Sequence, residues 1–301
     1  MVDPRAAGDG GFRTVSRISR KGMKIIFTLH TQQAAEPREP LQWLTSSALD
    51  DLPHCFSTRR GGVSTGCRAS LSLRLPGDDP ENVEENFRIL GAAVGFRPEQ
   101  TVFAQQMHGD VIRPVTRETC GTGLYRPGDM DCDALFTRTP GVALTVFSAD
   151  CCPILLHCTA SGTIAAVHAG WRGTALGIVK KTVAAMQEAC GAVPAEIHAA
   201  IGPCISRCCF KTDADVPDAM RAALGAAADP AIEFYPDSGK YHVDLKALNR
   251  TWLQLAGVPD SQIDTCSLCT CCREDLFFSH RRTGDARGSL AAVIMLPEAA
   301  S

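Results

Sequence analysis

No apolar run in this chain approaches the ~20 residues that a membrane-crossing helix needs; candidate stretches such as 142–147 and 154–156 are strand-sized. A surplus of one charge is missing too. Thirty basic residues stand against 33 acidic ones, for a formal net charge of -3. No long-range field therefore draws the chain to nucleic acid or to an anionic membrane. A secretory signal is not legible, because Ile25-Ile26-Phe27, after Arg20 and Lys21, is too short for an h-region. The 301 residues contain no fixed-period repeat and no long linker, and that length suits one large domain. The expectation is a cytoplasmic protein whose function resides in a local site.

Cysteine, by contrast, is abundant. Fifteen residues are still sparser than the about 8–10% of short disulfide scaffolds. The count is odd, and the chain is large enough to build a core without staples. A reduced protein follows, with most cysteines buried as small hydrophobes and a few engaged in chemistry.

Residues 1–40, rich in Gly, Ala, Pro and scattered Arg, read as a flexible N-terminal extension, with a short strand at 23–27 and Met23 as a second candidate start. The domain occupies 41–301. Asp78-Asp79-Pro80 opens a helix with Val83, Phe87, Leu90 and Val94 on one face and Gly95 as its stop. Strands are expected at 101–105, 134–137, 142–148, 153–158, 163–168, 196–201 and 291–295, with helices at 174–189 and 245–256. Asp244 is the N-cap of the last helix and Gly257 lies beyond its end. Strands outnumber helices and cluster in runs, which favours a single α+β domain over a doubly wound fold.

Three segments place reactive side chains beside turns at strand ends: Gln105-Gln106-Met107-His108-Gly109, Ser148-Ala149-Asp150-Cys151-Cys152-Pro153, and Ala166-Val167-His168-Ala169-Gly170-Trp171-Arg172-Gly173. Each histidine or cysteine alone reads as a packing residue. Together His108, Cys151 and His168 supply two imidazoles and one thiolate, the ligand count of a catalytic zinc site with its fourth position open. Their wide separation suits a site built on a scaffold rather than a zinc finger.

Those segments, with Phe56-Ser57-Thr58-Arg59-Arg60-Gly61-Gly62, Gly77-Asp78-Asp79-Pro80, Asp133-Ala134-Leu135, Ile201-Gly202-Pro203-Cys204-Ile205, Cys269-Thr270 and Phe277-Phe278-Ser279-His280-Arg281-Arg282, carry a resemblance. The chain resembles the YfiH-type laccase-domain family, formerly called multicopper polyphenol oxidases and now regarded as purine nucleoside phosphorylases. The resemblance implies an α+β fold, a four-layer α/β/β/α sandwich with mixed sheets. It also implies a metal, zinc with copper as the alternative, held by His108, Cys151 and His168. The implied activity is phosphorolysis of adenosine, inosine and S-methyl-5′-thioadenosine, with adenosine deaminase side activity. Partners would be purine nucleosides and phosphate, with no nucleic acid and no membrane, in a monomer or homodimer. Two departures stand out: Leu71-Ser72-Leu73 replaces the family's Leu-Asn-Leu, and Thr283-Gly284-Asp285 replaces its Thr-Gly-Arg, with Arg287 following.

Deamination at purine C6 needs activated water and a carboxylate to move protons. Asp150 is the catalytic candidate beside Cys151 and His168, with a buttressing role as the equal alternative. Phosphorolysis needs an anion site. Arg59 in its Gly-rich loop and Arg172 at a helix start are the candidates for substrate binding, or else ordinary surface cations.

Other classes remain. A multicopper oxidase needs on the order of ten His ligands, whereas the chain has eight histidines and no H-x-H pair. A cysteine hydrolase would use Cys151 as nucleophile with His168 or His108 as base. A non-catalytic zinc-binding protein would show the same ligands. Cys266, Cys269, Cys271 and Cys272 lack the second C-x2-C pair of a zinc ribbon, unless Cys204, Cys208 and Cys209 lie nearby.

Overall fold

Two stacked sheets organise the molecule. The computed structural model describes residues 13–18, 27–75 and 77–298. One sheet has seven strands, in the order Arg13–Ile18, Phe27–Gln32, Leu41–Ser46, His54–Ser57, Leu290–Met295, Ala143–Ser148 and Thr101–Phe103. The other has six, in the order Ile263–Thr265, Ile197–Ile201, Cys152–Cys158, Thr163–Ala169, Ala134–Thr137 and Ile112–Pro114. Both are mixed: Thr101–Phe103 is parallel to Ala143–Ser148, and both edge pairs of the six-stranded sheet are parallel. A small third sheet joins Lys211–Thr212, Lys240–Val243 and Ile232–Tyr235.

Strand side chains alternate between faces, and here both faces are covered. Leu144, Val146, Ala292 and Ile294 meet Leu155, Ile164 and Ala166 between the sheets. The opposite face of the first sheet, with Ala143, Phe147, Ala291 and Val293, takes Val83, Phe87 and Leu90. Those three come from the helix Pro80–Val94, capped by the Asp79 side chain and ended by left-handed Gly95. The far face of the second sheet packs Ala165 and Val167 against Val179, Val183 and Met186 of Ile178–Cys190, and Trp252 and Leu253 of Leu245–Leu255. This is the α/β/β/α sandwich in α+β form. Two-sided burial, worth about 1.5–3 kcal/mol for each large aliphatic side chain, explains why the central strands read as unbroken apolar runs.

Three features differ from the sequence reading. The helix expected over 174–189 is two helices, Trp171–Ala175 and Ile178–Cys190. Gly177 breaks it with a φ of 71°, and a Cβ there would lie 3.3 Å from the Trp252 ring. The Thr174 carbonyl at the break accepts from the Gly177 N–H at 3.1 Å and from Trp252 Nε1 at 2.8 Å. Within the extension expected over 1–40, Arg13–Ile18 pairs with Phe27–Gln32, which pairs along its whole length with Leu41–Ser46, and Phe27 is buried. Residues 1–12 and 19–26, Met23 included, lie outside the described residues. All fifteen cysteines are free thiols, but seven rather than most are buried. Among the described residues no helix is long and apolar enough to cross a membrane.

Candidate functional site

The chain passes between the two large sheets at 104–111, after Thr101–Phe103 and before Ile112–Pro114, and again at 149–151, between Ala143–Ser148 and Cys152–Cys158. His108 sits on the first passage and Cys151 on the second. His168 is the penultimate residue of Thr163–Ala169. Their donor atoms converge, all within 4.8 Å of one another. The two imidazoles meet edge to face, with centroids 4.9 Å apart and planes at 84°. Gly170 makes the approach possible: a Cβ there would stand 3.1 Å from His108 Cδ2 and 3.2 Å from Cys151 Sγ.

Asp133 organises this group from beneath. Its Oδ1 accepts from His168 Nδ1 at 2.8 Å and from the His108 backbone N–H at 3.0 Å. Its Oδ2 accepts from the N–H groups of Gly109 at 2.8 Å and Met107 at 3.2 Å. The carboxylate thus holds the turn in which His108 adopts a left-handed φ of 60°, unusual for a residue with a side chain. Because His168 engages Asp133 through Nδ1, its Nε2 is the nitrogen left for a ligand, the carboxylate–histidine arrangement found behind metals. Three backbone donors and the imidazole keep Asp133 ionised despite its burial.

Electrostatics favour a thiolate at Cys151. Burial works against the charge, but the His168 charge and hydrogen bonds from His108 and His168 bring the thiol down to about 6. His168 moves the opposite way: burial disfavours its charge, while the Cys151 thiolate and Asp133 hold it up at about 9. Two imidazole nitrogens and one thiolate are borderline-to-soft donors that suit zinc or copper. With the Asp133 brace behind them and the space over Gly170, these residues fit a metal ion.

Above the three donors opens a cavity of about 390 Å³, in the range of small-molecule sites. Phe147, Ile205 and Phe210 supply apolar wall, and Arg74, Arg281 and Arg287 supply positive charge. Asp150 also lines it, with a φ of 100°. Its Oδ1 accepts from Thr270 Oγ1 at 2.6 Å, and its Oδ2 from Ser279 Oγ at 2.9 Å and the Arg281 N–H at 2.7 Å. That carboxylate ties three loops together.

Neither arginine singled out in the sequence lines the cavity. Arg59 donates to the carbonyls of Ala69 and Glu274 and stacks on Phe278 at 4.7 Å. Arg172 is exposed and lies over the Trp171 ring at 4.3 Å. Arg74 and Arg287 were missed. So was Asp133, although Asp133-Ala134-Leu135 was among the stretches carrying the resemblance. Where Thr-Gly-Asp replaces Thr-Gly-Arg, Asp285, its side chain 99% exposed, lines the rim of the cavity together with Arg287.

Comparison with known proteins agrees with this architecture. Residues 53–297 match the model of the family described as multi-copper polyphenol oxidoreductase laccase. The chain belongs to this family. A relative named purine nucleoside phosphorylase YlmD, from Geobacillus stearothermophilus, is 40% identical over 243 residues, covering 79% of this chain and 88% of its own. The crystal structure of YlmD from that organism superposes with a TM-score of 0.81 at 36% identity, covering 88% of this chain and 98% of its own. A protein named adenosine deaminase RL5, from an unknown prokaryotic organism, is 35% identical over 242 residues, covering 76% and 88%. The multi-copper family description also accords with a metal-binding site, although eight histidines fall short of a multicopper set.

Proposed function

We propose that the protein is a metal-dependent purine nucleoside phosphorylase acting on adenosine, inosine and S-methyl-5′-thioadenosine, with adenosine deamination as a side reaction. The observation that carries this reading is the convergence of His108, Cys151 and His168 at the floor of a cavity that also presents Arg74 and Arg287. The names borne by relatives across most of the chain support it.

In the proposed reaction a phosphate oxygen bonds to the ribose C1′ as the bond from C1′ to the purine breaks. The base leaves carrying the proton that hydrogenphosphate gives up, and the sugar keeps the phosphate. Arg74 and Arg287 would bind and orient the anion through charge-assisted hydrogen bonds. Phe147, Ile205 and Phe210 would pack against the apolar parts of the nucleoside and exclude water. His108, Cys151 and His168 would hold a zinc ion, or copper, which supplies Lewis acidity when bound. Asp133 would keep the His168 ring oriented, and Asp150 would fix the turn that presents Cys151.

The deciding experiment incubates metal-analysed protein with each nucleoside, with and without phosphate, and separates the products. Free base and sugar 1-phosphate formed only with phosphate support phosphorolysis, and phosphate-independent inosine from adenosine supports deamination. Undiminished turnover in Cys151→Ala would refute the site. Turnover by metal-free protein that alkylation abolishes would favour a cysteine hydrolase.

A further inference from the structure

A second group of thiols lies outside the cavity. The strands Ile197–Ile201 and Ile263–Thr265 run parallel as neighbours, and a bridge between Cys204 and Cys269 prolongs their pairing. Both strands therefore release their loops at the same end of the sheet. One loop carries the adjacent pair Cys208-Cys209, and the other carries Cys269 and Cys272 in a C-x2-C spacing. The four sulfurs all lie within 4.8 Å of one another. Cys272 Sγ is 3.5 Å from Cys208 Sγ and 3.3 Å from Cys209 Sγ. Those separations are far beyond the S–S bond of about 2.05 Å. They approach the edge of about 3.8 Å expected for a tetrahedron with metal–sulfur bonds of ~2.3 Å.

The surroundings suit an anionic cluster. Cys269 Sγ accepts from the Ser206 N–H at 3.3 Å. Three cations brace the same two loops: Lys246 on the Leu268 carbonyl, Arg281 on that of Cys209, and Arg282 on those of Thr270 and Cys271.

We propose that Cys208, Cys209, Cys269 and Cys272 bind a second zinc ion as a closed, structural tetrathiolate site. It stands apart from the first site in both ligands and role. The two loops it would clamp also carry Ile205, whose N–H donates to the Asp150 carbonyl at 3.0 Å, and Thr270, which donates to the Asp150 carboxylate. The ion would therefore stiffen one wall of the cavity without touching substrate.

The test uses a His108→Ala/Cys151→Ala protein, which removes two ligands of the first site, grown with zinc and purified under reductant. One zinc per chain is expected. Replacement by cobalt should give the intense sulfur-to-cobalt charge-transfer band of a tetrathiolate. Adding Cys208→Ser and Cys272→Ser should abolish both signals. No zinc in the folded double variant, or an unchanged cobalt spectrum without Cys208 and Cys272, would overturn the proposal. So would a disulfide from Cys272 to Cys208 or Cys209 in protein alkylated at lysis. Should the double variant not fold, wild type decides, with two zinc ions per chain expected and one lost in Cys208→Ser/Cys272→Ser. A wild type with one zinc that survives in the double variant would instead sink the first site and leave this one standing.

Discussion

Asp133 Oδ1 accepts at once from the side chain of His168, at 2.8 Å, and from the backbone of His108, at 3.0 Å. One carboxylate oxygen thus fixes the ring of one candidate ligand and the main chain of another. Asp133→Asn brings an amide that cannot accept at both oxygens. We expect metal affinity to fall about 10- to 100-fold, with a loss of roughly 3 kcal/mol in stability because the partners of a buried charge are left unsatisfied. Chelator competition and thermal unfolding check the two effects.

The Cys151–His168 pair makes a prediction about pH in metal-free protein. With its folded pKa lowered from 9.0 to about 6, Cys151 contributes stability that is fully present above pH 9.0 and lost as pH falls through 6. His168, raised from 6.5 to about 9, contributes stability that is fully present below pH 6.5 and lost as pH rises through 9. Between pH 6.5 and 9 these slopes oppose and nearly cancel, because folding moves a proton from sulfur to imidazole without changing their number. The pair should add almost no pH dependence to the melting temperature in that range. Iodoacetamide should nevertheless alkylate Cys151 with a midpoint near pH 6, well before the ordinary thiols, and zinc should block it.

Arg74→Ala and Arg287→Ala should each raise the KM for phosphate by about tenfold or more, the loss of one charge-assisted contact, with a smaller effect on the nucleoside. Arg59→Ala should lower stability and leave the phosphate KM unchanged, since its guanidinium is committed to the Ala69 and Glu274 carbonyls. Steady-state kinetics with phosphate as the varied substrate separates the two groups.

Asp150→Ala removes the acceptor of Thr270, Ser279 and the Arg281 N–H. A destabilisation of about 3 kcal/mol is expected from the buried donors left behind. Asp150→Asn should recover part of it and preserve the pH profile of the proposed phosphorolysis, because both carboxylate oxygens are engaged by these donors. A lost limb in that profile would assign Asp150 to proton transfer instead.

Legibility in the sequence followed distance along the chain. The helix Pro80–Val94 was readable because its cap, apolar stripe and stop all lie within 17 residues of one another (Asp79 to Gly95). The three donors were readable as residue types at strand ends, and the resemblance joined them. Asp133 required register: Ala134 pairs with Val167, which sets Asp133 beside His168. No local pattern states that pairing. Arg74 and Arg287 were hidden for the same reason, since the cavity gathers them from distant loops. Arg59 and Arg172 looked right because glycines flank them, but a glycine-rich context does not reveal where a guanidinium points. Leu41–Ser46 was absent from the expected strands, and Phe27–Gln32 fell in the expected extension. Only their pairing with each other and with His54–Ser57 extends the sheet that far.

His108 and Cys151 both lie where the chain leaves one large sheet for the other, while His168 lies in the six-stranded sheet and Asp133 immediately precedes one of its strands. Neither half of the sandwich owns the full donor set. Ion uptake by these three side chains would accordingly report on tertiary assembly: a folding intermediate with its sheets formed but not yet stacked would hold the right residues and still lack a place to put a metal.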